Sequence, residues 1–141
     1  MTRKKSAGLY IACVSIIAAL VSLIAYMMNT KTNYYAKMGV DMSVVLCLVA
    51  GIALIVGRVV MGMKNETIVT DARTVCASVW LTVGLVMLLN ARVNNLAAVF
   101  TFENSAANMA DTTSCIIAIA AALIAMIISI ISSFFDITKE A

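Results

Sequence analysis

Four apolar stretches, residues 8–28, 42–63, 74–89 and 112–135, leave this chain few ways to fold. Each reaches or approaches the ~20 residues that a helix needs to cross a ~30 Å hydrocarbon layer. None alternates polar and apolar residues as a lipid-facing barrel strand must. In lipid every backbone N–H and C=O has to be satisfied within its own segment, which leaves helices. Composition agrees, with 63% of residues hydrophobic and 12% charged, against roughly half and a quarter in soluble domains. The expected fold is all-α: a polytopic membrane protein, one domain over residues 1–141, built as a bundle of four transmembrane helices. Their expected limits are 8–28, 42–63, 74–92 and 112–135, with a helical outer segment over 93–103.

Arg3, Lys4 and Lys5 precede the first run as they would in a signal peptide. Its apolar length exceeds the 7–15 residues of an ordinary signal core, and no clear A-x-A-like site follows, so it is read as a retained helix. The basic residues lie next to helix ends, where they act as topology signals rather than as a nucleic-acid surface. With four helices and an inside start, Arg3, Lys4, Lys5, Arg58, Lys64, Arg73 and Lys139 lie on or near the inner side, and Lys31, Lys37 and Arg92 outside. This asymmetry predicts a multi-pass membrane protein with both termini cytoplasmic.

Asp41, Thr70 or Asp71, and Asp111 stand before the second, third and fourth helices as expected caps, accepting from free N–H groups of a first turn. Phe134 and Phe135 close the last helix, and a polar tail follows. Helices in lipid pack through small residues that allow close backbone approach. Ala121, Ala125, Ser129 and Ser133 form such a row in the fourth helix. Ser15, Ala18, Ala19 and Ser22 form a patch in the first, and Ala53 and Gly57 a pair in the second. These faces are read first as intramolecular contacts and second as a homo-oligomer interface.

The chain has no histidine, which removes the commonest general base and metal ligand. No carboxylate falls well inside a predicted span, so the buried acid of many ion-coupled carriers is missing. The absence of proline argues against the broken helices of midplane transport sites. No cofactor, no metal and no catalytic residue is expected. Cys13, Cys47, Cys76 and Cys115 fall one per helix and are read as packing residues. A Cys47–Cys115 disulfide stays open, because its geometry is not legible in sequence.

Arg58 is the charge within a span. About 24 Å in from Met42, it lies near the inner boundary and is expected to snorkel to the headgroups. The alternative is an inward-facing arginine that binds an acidic lipid or ligand. The third run is too short at about 24 Å and must use residues 90–92 to reach the outer headgroups, which makes Arg92 interfacial. Beyond it Val93, Leu96, Ala97 and Phe100 recur at helical spacing. They are expected to pack on the bundle, leaving Arg92 and Asn95 on a free polar face. Arg58, Asn90, Arg92, Asn94, Asn95 and Glu103 are the candidate interaction or ligand surface.

The stretches "GLYIACVSIIAALVSLIAYMMNTKTNYY", "ARVNNLAAVFTFENSAANMAD" and "SSFFDITKE" make the chain similar to a group of small four-helix integral membrane proteins of Gram-positive bacteria. That resemblance implies fold and location. It supplies no catalytic residue or substrate, and it links the group to carbohydrate handling. The function expected first is a non-enzymatic accessory or scaffold protein that meets a membrane-protein partner, or a second copy, through helix faces or the outer segment. The alternative is a small oligomeric transporter or channel for an anionic or polar solute.

Overall fold

The structure, a computed structural model, describes residues 4–139. Arg3 of the basic count, Glu140 of the third resembling stretch and the outermost ends of the expected domain lie outside the described residues. Four helices, α1 (Ala7–Asn29), α2 (Met42–Gly62), α3 (Ile68–Thr101) and α4 (Ala106–Ser132), form an all-α bundle. All four are long and apolar enough to cross a membrane, and the chain is a multi-pass membrane protein. Around the bundle α4 lies between α1 and α3, and α2 lies between α3 and α1.

Two helices start earlier than their apolar runs. α3 begins at Ile68 rather than 74, because Thr67 caps it: the Thr67 N–H reaches Thr70 Oγ1 at 3.4 Å, which leaves Asp71 inside the first turn. α4 begins at Ala106 rather than 112, with Ser105 accepting from the Asn108 N–H at 3.2 Å, and it ends at Ser132 rather than 135. Both extensions are helical but broken by polar or charged residues, Thr70, Asp71 and Arg73 in one and Asn108 and Asp111 in the other, so a reading of uninterrupted apolar length does not detect them. Asp41 caps α2 as expected, accepting from the Ser43 N–H at 2.9 Å. Asp111 is not a cap and has another task at the loop end of the bundle.

Small residues let the helices close. Ser15 and Ser22 of α1 donate to the carbonyls of Ala125 and Ala118 of α4 at 3.0 and 2.8 Å. Asn29 continues the line, donating to the Asp111 carbonyl at 3.3 Å and to Ser114 Oγ at 3.2 Å. Donors and acceptors both recur every seventh residue, the period that keeps one helix face against a neighbour. Ala121, Ala125 and Ser129 are buried in this interior as expected, while Ser133 is half-buried. In α2 close approaches to α3 are at Gly51, where an added Cβ would lie 2.7 Å from Leu81, and at the expected Gly57, where it would lie 2.7 Å from Arg73 Nη1. The expected Ala53 instead faces outward.

The terminal end is also closed. Lys4–Lys5 (β1) pairs antiparallel with Thr138–Lys139 (β2), which brings both described chain ends to one face. Ile137 is fully buried. Its N–H is held by Glu66 Oε1 at 2.6 Å, and Thr138 Oγ1 donates to the Gly62 carbonyl at 3.1 Å. A Cβ on Gly62 would sit 2.7 Å from the Ile137 side chain, so glycine provides the notch. The expected polar tail is therefore an apolar knob on a folded strap. Replacing Ile137 with alanine should lower stability by about 2–4 kcal/mol, the usual range for truncating a buried isoleucine, measurable by thermal unfolding in mild detergent.

Candidate functional site

α3 is 34 residues long and α2 is 21, a difference of ~20 Å at 1.5 Å per residue. Gly84 of α3 packs on Cys47 and Leu48 of α2, so the start of α2 is level with about residue 90 of α3. The end of α3 and the start of α4 therefore project past α2 as a helical hairpin. The segment 30–41 lies against this hairpin and completes a cap.

Arg92 organises the cap from below. It is 2% exposed, and its guanidinium lies over two rings, 5.4 Å from the Tyr26 centroid and 5.3 Å from that of Tyr35. Nη2 donates to the Gly39 carbonyl at 3.2 Å, and Nη1 lies 3.5 Å from Met38 Sδ. Gly39 has φ 68°, a left-handed conformation that a side chain disfavours; it ends the short 3-10 turn Ala36–Met38 and aims its carbonyl at the arginine. The two tyrosines are held in turn. Tyr26 Oη accepts from the Asp41 N–H at 2.8 Å, and Tyr35 Oη is 3.1 Å from Thr112 Oγ1. Burial raises the Tyr35 pKa, with the Thr112 hydrogen bond and Arg92 pulling against it. Asp111 Oδ2 accepts from the Tyr34 N–H at 3.0 Å.

Above this layer opens a polar cleft of about 530 Å³, walled by Asn33, Tyr34, Lys37, Met38, Asn95, Ala98, Glu103 and Asn108. The Tyr34 hydroxyl donates to Glu103 Oε2. That hydrogen bond is the main reason the Tyr34 pKa rises to about 12, because ionising the phenol would lose the bond and set a second negative charge beside Glu103. Asn108 Nδ2 donates to the Glu103 carbonyl at 3.0 Å.

Of the expected surface, Asn95 and Glu103 line the cleft, and Arg92 stands behind its Met38 wall. Asn90 and Asn94 are exposed and lie outside it. Arg58 is at the other end of the bundle. It does not snorkel: it is 2% exposed, with Nη2 donating to the Phe135 carbonyl at 2.6 Å and Nη1 to Ser132 Oγ. The strap of residues 133–139 folds over it and supplies the Phe135 carbonyl, while Ser132 is the last residue of α4.

The expected faces of outer α3 are inverted at Arg92, Val93, Ala97 and Phe100, while Leu96 and Asn95 are both half-buried. Arg92 is buried, while Val93 and Phe100 are 51% and 52% exposed. Val79, Val86, Val93 and Phe100 form one outward row that continues from the span. The buried row Leu81, Gly84, Leu88, Arg92 and Val99 runs beside it. Continuing the inward period of the span, rather than seeking the next apolar stripe, finds Arg92. Asn33, Lys37 and Asn108 are cleft residues that the sequence reading misses, and no local pattern marks them.

The four cysteines are free thiols, Cys47 and Cys115 buried and Cys13 and Cys76 exposed. Among the described residues no group of three or more His, Cys, Asp or Glu side chains is placed to hold a metal ion. Comparison of the chain with known protein families, characterised proteins and solved structures finds no match in any of the three.

Two outcomes follow from this geometry. Arg92→Ala should destabilise the protein by about 2–4 kcal/mol, since it empties a buried site and strands the groups it ties, whereas Phe100→Ala should change stability by about 0.5 kcal/mol or less. Thermal melts of both variants in one detergent compare them. In an ultraviolet titration Tyr34 should ionise near pH 12 rather than 10, its hydrogen bond persisting below pH 10 and being lost as pH rises through about 12. Glu103→Gln should move that one tyrosine back toward the ordinary value.

Proposed function

We propose that the protein is a non-enzymatic accessory or scaffold protein of the bacterial plasma membrane. Both termini are cytoplasmic, and the cap is an external binding surface. The observation that carries this reading is where concave polar surface occurs. Six of the eight side chains that line the cleft on the cap are polar, whereas grooves along the spans are lined mainly by Val, Ile and Met. Ligand sites combine a preformed concavity with a few converging polar groups, and the cap has both. A conduit through the bundle is disfavoured because Ser15, Ala19, Ser22, Ala118, Ala122 and Ala125 fill its interior. Orientation is supported by charge. Lys4, Lys5, Lys64 and Arg73 cluster at the terminal end, against Lys31 and Lys37 in the cap loop, as the positive-inside rule requires.

A photo-crosslinking residue placed in living cells at Asn95 or Asn108 should give adducts of discrete mass, and one at lipid-facing Val79 should not. Adducts from Val79 alone would move the binding surface to the helix faces, and their absence at all three positions would remove the binding role. Reporter fusions at Lys37 and at the C-terminus check orientation, the first expected to be external and the second cytoplasmic.

A further inference from the structure

We infer that the cap cleft takes a small zwitterion of the amino-acid or short-peptide class, a molecule with an ammonium and a carboxylate, the carboxylate meeting Lys37 and the ammonium meeting Glu103. The inference rests on the reading of the cap as a binding surface and names its ligand chemistry.

Three observations lead to it. First, the cleft wall carries one charge of each sign, Lys37 and Glu103. The next charges behind it also balance: Arg92 touches Met38 of the wall, and Asp111 holds the Tyr34 N–H. A ligand with net charge of either sign would gain from one wall residue and lose to the other. Second, the wall groups are available. Among the described residues the side chains of Asn33, Lys37 and Asn95 have no hydrogen-bond or ion-pair partner, and Glu103 uses Oε2 for the Tyr34 hydroxyl while Oε1 has no protein partner. Third, Asn33, Asn95 and Asn108 each present an amide, a donor and an acceptor together, which matches the peptide group that joins the two ends of a short peptide. The volume of about 530 Å³ is in the range of small-molecule sites. The Tyr34 hydroxyl, which donates to Glu103 Oε2, orients that carboxylate, and buried Arg92 holds the loop that carries Lys37.

Triglycine with free ends serves as the probe, in equilibrium dialysis against the full chain in mild detergent, with N-acetyl-triglycine and triglycine amide as partners for comparison. Saturable millimolar binding of the free peptide is expected, weakened about five-fold by capping either end, in line with partly exposed ion pairs. Lys37→Gln should abolish the penalty of amidating the carboxylate and leave that of acetylation. Glu103→Gln should do the reverse. This crossed pattern assigns each end to its residue, which general destabilisation would not do. Absence of saturable binding up to ~10 mM, or equal binding of the free, acetylated and amidated peptides, overturns the inference. If crosslinks at Asn95 and Asn108 persist in that case, the cap binds a partner of other chemistry and the accessory role stands. If those crosslinks are absent too, both readings fall.

Discussion

The contact on which the molecule depends is the seam between α1 and α4. Its hydrogen bonds are modest, about 0.6 kcal/mol each by the average for interhelical pairs in membranes. Their importance is positional. A hydroxyl can reach a neighbouring backbone carbonyl only where the two helices approach closely, and Ala12, Ala19, Ala118, Ala122 and Ala125 make that approach possible. The same seam, followed to its loop end, places Asn29 beside Asp111. From there Asp111 and Thr112 of α4 hold Tyr34 and Tyr35. The cap is thus positioned by the register of two helices that contribute little of its cleft.

Each end of the bundle is finished by a buried arginine that ties down a segment without regular helix. Arg58 grips the Phe135 carbonyl and so the terminal strap; Arg92 grips the Gly39 carbonyl and so the cap loop. Burying a charge without a partner is expensive, and neither arginine forms an ion pair among the described residues. One carbonyl and a serine hydroxyl accept from Arg58. At Arg92 a carbonyl, a thioether and two aromatic faces take that role, the last being the favourable geometry for a cation over a ring. In both cases the charge converts a peptide carbonyl of a connecting segment into a fixed point. The apolar helices alone have no means of specifying where such segments lie.

Helix number, the capping role of Asp41 and the small-residue face of α4 could be read from the sequence because each depends on neighbours within a turn or two. The helix starts at Ile68 and Ala106 could not, since apolarity reports where lipid is and not where helix is. The inverted face of outer α3 has a further cause. The rule that an apolar stripe points inward assumes water outside, and Val93 and Phe100 prolong a row that faces lipid along Val79 and Val86. The burial of Arg58 is not legible because its partners, the end of α4 and the strap after it, lie more than seventy residues away in sequence. Asn95 and Glu103 could be found as polar residues next to a helix end, while Asn33, Lys37 and Asn108 become neighbours of them only once the loop is laid down.

Residues 30–41 form a folded cap loop fastened over Arg92, and amide hydrogen exchange on the membrane-embedded protein probes that fastening. The N–H groups of Tyr34, bound to Asp111, and of Asp41, bound to Tyr26, should exchange far more slowly than in an unstructured loop, and Arg92→Ala should release both. Exchange of these amides at unstructured rates in the unmodified protein would contradict the account.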